Sequence, residues 1–435
     1  MRQGIACSRR GFARGAMAAG SALLMPAWLR AGSIWPRGKK KPVTAAAPQG
    51  ATGQDSLRAH AAASGLLYGA AVRPDLLDAD GMAAAGTTDG YTQLVGAQCG
   101  IVVAENAMKW AALRPSADRF DFAQADKLVR FADLMGQQVR GHNLCWHEAL
   151  PAWFQSAATK GNAQRLLVEH IQTVAGHFRG RIQSWDVVNE AIEPNDGRPD
   201  ALRKTPWLDL IGPGYIELAF QTAAQADPAA KLVYNDYGIE LDTQEQMVKR
   251  GQVLLLARRL KARGIPIHAI GVQSHLQADG PQPGQGLLSF IRELAKIGLD
   301  VYITEMDVKT TEPPATPDVE DAAVAKVYAD YLTMVLEEPN VPAALTWGLI
   351  NGQSWLNSQH RNSNGIVQRP LPFDDELKPT PAFFALRSAI DRAYVRAPQA
   401  AKPGANPAAL PDDLYKPFAV PGSPTGQPAK PESQR

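Results

Sequence analysis

The sequence predicts an α/β fold, a (β/α)8 TIM barrel in one domain, on three observations. Eight short apolar runs of β character recur along the body of the chain. Each is followed by a helix or a helix-length loop, the order of a parallel barrel. No GxGxxG follows the first run and no Walker sequence occurs, so doubly wound nucleotide-binding sheets lose their main support.

The runs fall at Leu67–Ala71, Ile101–Ala104, Gln138–Gly141, Gln183–Val188, Lys231–Tyr234, Ala269–Val272, Asp300–Ile303 and Ala343–Thr346. They are rich in Val, Ile, Leu and Ala and short enough to be strands buried on both faces. Between them lie ADKLVRFADLMG, AQRLLVEHIQTVAGHF and EQMVKRGQVLLLARRLKARG, with apolar residues at helical spacing. Gly136 and Gly264 stand where two of these helices should end, the position at which glycine most readily turns the chain left-handed.

The barrel occupies residues 57–396 of the 435. Ahead of it, residues 1–32 contain Ser8-Arg9-Arg10-Gly11-Phe12 and a weakly apolar run interrupted by Arg14 and Pro26. That pattern is expected of a twin-arginine export signal, which would make the protein periplasmic or secreted. The run is too short and broken for a membrane span of ~20 apolar residues, so membrane attachment would follow only if the leader stays uncleaved. Residues 33–56 form an Ala/Pro/Gly-rich linker, and residues 397–435 a Pro/Ala-rich tail whose composition buries too little surface to order it. The net charge of +2 gives no electrostatic reason to expect nucleic acid, and nothing implies a stable protein partner. Cys7 lies in the leader. Cys99 and Cys145 lack CxxC spacing and are expected to be small buried hydrophobes.

In such a barrel the chemistry lies at the C-terminal strand ends. Here those ends are polar: Glu105-Asn106 with Lys109, His142 with Trp146, Asn189-Glu190, Asn235-Asp236-Tyr237, Gln273-Ser274-His275, Thr304-Glu305-Met306-Asp307, and Trp347 with Trp355 beyond. Carboxylates at the fourth and seventh strand ends stand across the mouth from each other. One can protonate a leaving oxygen while the other attacks carbon or activates water, as cleavage of a glycosidic bond requires. Tryptophan offers flat faces to sugar rings, and Asn, Gln, His and Lys can hold hydroxyls. His142, His147 and His275 form no HExxH pattern, so no metal and no cofactor is expected.

At seven places the residues resemble the endo-1,4-β-xylanases of glycoside hydrolase family 10: ENAMKW (105–110), GHNLCWH (141–147), WDVVNEA (185–191), YNDY (234–237), VQSHL (272–276), ITEMD (303–307) and TWGL…SWL (346–356). They follow the family's order through the whole body. The resemblance implies retaining endo-hydrolysis of xylan or xylo-oligosaccharides, with Glu190 as acid/base and Glu305 as nucleophile ~5 Å apart. Repulsion from Glu305 would then keep Glu190 protonated. Asn189 would hold the 2-hydroxyl of the cleaved sugar, and His275 with Asp307 would position Glu305. Glu105, Asn106, Lys109, His142, Trp146 and Gln273 would line the non-reducing-end subsites. Trp347 and Trp355 would roof the ring beside the scissile bond, and Tyr237 would border the leaving group.

The chain departs from the family at Glu148-Ala149, where Ser-Gln is usual, at Asn351 in place of Asp, and at Ala111 in place of an acidic residue. These changes bear on subsite strength. Two other readings stay open on the residues alone: a related barrel β-glycanase acting on glucan, and a non-catalytic polysaccharide-binding module.

Overall fold

The computed structural model describes residues 50–78, 90–312, 314, 316–359 and 367–398. The export signal assigned to 1–32, most of the linker and nearly all of the tail lie outside the described residues. Residues 50–56, assigned to the linker on composition, contain a 3-10 turn at Gly53–Asp55, and Ser56 caps the helix Leu57–Ala63 by accepting from Ala59 N–H. Arg387 donates to the carbonyl of Asp55 at 3.2 Å, tying this segment to the helix Pro381–Asp391. Composition misses this because the contacts come from far along the chain.

Among the described residues nine strands form one closed parallel sheet: β1 (Leu67–Val72), β2 (Ile101–Ala104), β3 (Gln138–His142), β4 (Ser184–Asn189), β5 (Lys231–Asp236), β6 (Ala269–Val272), β7 (His275–Gln277), β8 (Asp300–Lys309) and β9 (Ala343–Thr346). The order runs from β6 back to β1 and on through β9 and β8, and β6 also pairs with β8, which closes the barrel. The sixth stave is interrupted, because β6 and β7 are separated by Gln273-Ser274. All eight predicted runs are strands, several reaching farther toward the mouth than the apolar run itself. Their polar ends continue the ladder because both neighbours supply backbone partners.

Helices follow the strands around the outside. Helix Gln285–Lys296 buries Leu287, Ile291 and Leu294, spaced so that they share one stripe. Each such side chain withdrawn from water stabilises the fold by roughly 1.5–3 kcal/mol. Thr243 and Thr316 accept from the backbone at the starts of Gln244–Ala262 and Pro317–Val335. Gly136 and Gly264 have φ of 61° and 69°, as expected after helices.

Strand alternation divides the core. Ile101 and Val103 point inward, with Val233, Ala269, Tyr302, Ala343 and Leu345. Val102 and Ala104 point outward into the larger layer beneath the helices, which also takes Cys99 and Cys145. Among the strands, Arg140 is fully buried, ion-paired with Asp186 and bonded to Ser184 Oγ at 2.9 Å. Leaving either charge of this pair alone would be strongly destabilising.

Candidate active site

Alternation along a strand sends consecutive side chains to opposite faces. The site breaks this rule twice. On β4 the register against β5 slips by one residue between Asp186 and Val188. The chain then turns left-handed at Glu190, φ 58°. Asn189 and Glu190 consequently meet, the Asn189 amide donating to Glu190 Oε1 at 3.0 Å. On β8 an extra residue lies between Ile303 and Met306 relative to β9. Thr304 and Glu305 thereby both reach Asn235: the Thr304 hydroxyl donates to its amide oxygen at 2.8 Å, and its Nδ2 donates to Glu305 Oε1 at 2.7 Å. Bulges of this kind commonly re-aim side chains beside active sites. A side chain at Gly271 would collide with the Asn235 amide oxygen, 2.2 Å from where its Cβ would stand.

Asn235 links the two carboxylates. Its Nδ2 also donates to Asn189 Oδ1 at 2.8 Å, so amides run from Glu190 through Asn189 and Asn235 to Glu305. Glu190 receives two further hydrogen bonds, from Gln273 Nε2 at 2.9 Å and Trp146 Nε1 at 2.9 Å. Beside Glu305, His275 Nε2 lies 3.5 Å from Oε2, while its Nδ1 lies 2.9 Å from Asp307 Oδ1. Trp355 donates to Asp307 Oδ2 at 2.7 Å. His142 Nδ1 is 3.0 Å from Asp186 and 4.0 Å from Glu305, and its ring meets Trp347 edge-on.

The two glutamates therefore titrate differently. Burial raises the Glu190 pKa, and the Asp236 and Glu305 charges push it the same way against the hydrogen bonds from Gln273 and Trp146. Repulsion from Glu305, the cause expected from the sequence, is thus the smaller contribution. Burial would raise Glu305 too, but His275, His142 and Asn235 overcome it and lower its pKa to about 2. The His275 pKa rises well above the ordinary value: burial opposes this, and Asp307 and Glu305 prevail.

The flank of the site is continuous with this centre. Lys109 donates to Asn106 Oδ1 at 2.8 Å and lies 5.2 Å from the Trp146 ring centroid, and Asn106 donates to Glu105 at 3.2 Å. Burial raises the Glu105 pKa and lowers that of Lys109, which the neighbouring glutamates partly offset. A cleft of about 1000 Å³ extends past Glu105, Asn106 and Trp355. Tyr237 is 37% exposed, and its hydroxyl accepts from Arg203 at 2.9 Å.

Every residue given a catalytic or subsite role from the sequence lies in or beside this cluster. One differs in its contacts: Gln273, grouped with the non-reducing-end subsites, places its amide on Glu190. Asn235 and Thr304, read from the sequence as strand-end groups without an assigned role, are members too, and Asp186 and Arg203 join them. Asp186 lies within β4 rather than at its end, and Arg203 is in a loop that carries no such signal. The substituted Asn351 is buried and accepts from Leu371 N–H at 2.8 Å, serving a loop rather than the cleft. Ala111 donates its N–H to the carbonyl of Ala149 at 2.9 Å, so two of the departures are neighbours.

The model of Glycosyl hydrolase family 10 matches residues 56–389. The chain is 34% identical to a Beta-1,4-xylanase of Dictyoglomus thermophilum over 68% of this chain and 83% of that protein. It is also 34% identical to Endo-1,4-beta-xylanase A of a Caldicellulosiruptor species, a longer protein of which the match spans 42%. Among solved structures, xylanase 10B of Thermotoga petrophila RKU-1 in complex with xylobiose superposes with a TM-score of 0.68 at 32% identity, covering 77% of this chain and 97% of that one.

Proposed function

We propose that this chain, which belongs to glycosyl hydrolase family 10, cleaves internal β-1,4 bonds of xylan and xylo-oligosaccharides with retention of anomeric configuration. The observation that carries the reading is the opposed state of two linked carboxylates. Glu190 is held toward its protonated form and Glu305 toward its ionised form, the division of labour that two-carboxylate hydrolysis needs.

Glu305 attacks the anomeric carbon as the glycosidic bond breaks, and Glu190 gives its proton to the departing oxygen. Forming the ester removes the Glu305 charge that repels a second one at Glu190. Glu190 then accepts a proton from the water that breaks the ester, and both residues return to their first states. Asn189 can turn its amide to the 2-hydroxyl, where contacts tighten as positive charge grows on the ring. His275 and Asp307 hold Glu305 ionised and fixed. Trp347, Trp355 and Trp146 offer faces to the rings. Glu105, Asn106 and Lys109 hold hydroxyls along the open cleft, which lets a chain pass through as endo-cleavage requires. The scheme uses no cofactor or metal.

Proton NMR of the first product tests the stereochemistry: the β-anomer should appear first from a β-linked substrate, and an initial α-anomer rules the double displacement out. Running xylo- and cello-oligosaccharides side by side tests the substrate, and equal rates overturn the preference for xylose.

We also propose that residues 1–32 direct twin-arginine export to the periplasm or exterior, on the strength of Arg9-Arg10 and the weakly apolar run behind them. The linker, ending before the turn at Gly53–Asp55, and residues 397–435 as a tail would flank the catalytic body. Arg9→Lys with Arg10→Lys should hold the precursor in the cytoplasm, and unchanged exported activity refutes the assignment.

A further inference from the structure

The loop that follows β4 doubles back on itself beside the acid/base. Ile192 pairs with Leu202 in an antiparallel bridge, Glu193 N–H donates to the carbonyl of Ala201 at 2.8 Å, and Arg203 N–H donates to that of Ala191 at 2.8 Å. This fold-back brings Arg203 under Glu190. Its Nε–H donates to the main-chain carbonyl of Glu190 at 2.7 Å. The same guanidinium reaches Glu193 Oε2 at 3.3 Å and the Tyr237 hydroxyl at 2.9 Å. Its side chain is 13% exposed, so these contacts are largely shielded from water.

Glu190 needs such a hold. A residue with a side chain at φ 58° is strained, and persists there only where its surroundings over-determine it. One side of the turned residue is fixed by its N–H, which donates to Asn235 O at 2.8 Å. The other is fixed by Arg203, through a charge-assisted bond of the stronger kind. With that bond gone, the peptide after Glu190 is free to relax, and the carboxyl swings with it. The nucleophile has no such dependence, because Glu305 lies within β8 and its N–H donates to Gln273 O at 3.0 Å in the ladder of the sixth stave.

We propose that Arg203 is a positioning residue for the acid/base: by fixing the Glu190 carbonyl it aims the carboxyl at the leaving oxygen, and through the Tyr237 hydroxyl it joins that aim to the leaving-group side of the cleft. The inference rests on Glu190 being the acid. It predicts selective damage, since a misaimed acid matters only when the departing group needs a proton.

The test compares kcat/KM, which reports the first bond cleavage, for phenyl and 2,4-dinitrophenyl β-xylobiosides. Arg203→Lys keeps the charge but not the planar fork. It should lose roughly 10- to 100-fold on the phenyl substrate, as for a misplacement near 1 Å, and less than about twofold on the dinitrophenyl one. Glu193→Gln, a milder change that loosens the guanidinium without removing it, should show the same selectivity at smaller size and serves if Arg203→Lys does not fold. Equal losses on both substrates, or none, in the folded variant overturn the proposal. Glu190→Ala is measured in parallel. If it too fails to discriminate, the acid assignment is at fault. If it discriminates and neither of the other variants does, the fault lies in the role given to Arg203.

Discussion

Glu190 and Glu305 are the same residue type at the same barrel mouth, 8% and 5% exposed. Yet the Glu190 pKa is raised and that of the slightly more buried Glu305 is lowered to about 2. Burial disfavours the charged form of both, so burial does not decide the outcome. The neighbours do. Around Glu190 the donors are two neutral amides and an indole, and the charges of Asp236 and Glu305 join burial in raising its pKa. Around Glu305 stand two histidines, one itself kept protonated by Asp307, and the Asn235 amide. A single fold therefore gives one side chain two opposed charge tendencies by changing what surrounds it, the division the proposed acid and nucleophile require.

The widest separation between the two should come from removing each. Glu305→Ala should lose roughly 10⁵-fold on every substrate, because nothing else forms the bond to carbon. Glu190→Ala should lose about 10²–10⁴-fold on xylan but keep the first step on an aryl xylobioside with an acidic phenol. A burst of phenol should then precede slow turnover, and azide should speed that turnover by attacking the glycosyl-enzyme without base help. Burst kinetics on the two variants would decide it. Like responses to the leaving group would erase the distinction.

The next effect targets the cause of the difference. His275→Asn removes the largest influence that keeps Glu305 ionised, so the Glu305 pKa must rise. Since the proposed mechanism uses Glu305 as the anion, the acid limb of the kcat/KM profile should move to higher pH. A shift of one unit costs about tenfold in activity at any pH below both limbs. An acid limb that stays in place would show that His275 does not set the charge of Glu305.

The smallest effect lies on the Glu190 side. The Gln273 amide favours the ionised form of Glu190, so Gln273→Leu should raise its pKa further. In the proposed mechanism Glu190 works protonated, and its pKa governs the basic limb. That limb should therefore move to higher pH, by less than the acid limb moves in His275→Asn, because a neutral donor is lost rather than a cation. A shift of the basic limb to lower pH would contradict the sign.

The sequence by itself determined the barrel, because eight β-type runs separated by helical spacing admit few other closed arrangements. It also located the carboxylates, since polar groups ending apolar strands have no structural reason to cluster there. It marked Asn189, His275, Asp307 and the tryptophans by the same signal. Only the tertiary structure decided how these groups face one another. By alternation, Asn189 should turn away from Glu190 and Thr304 from Glu305, but the slipped register on β4, the left-handed turn at Glu190 and the bulge on β8 bring each pair to one side. Those distortions are held by contacts distant in sequence: Asn235 on the next strand, Gln273 on the broken sixth stave, and Arg203 from a loop that carries no motif. The charge states followed the same rule. A carboxyl's pKa depends on which dipoles and charges stand within a few ångströms, and that set is assembled only when the barrel closes.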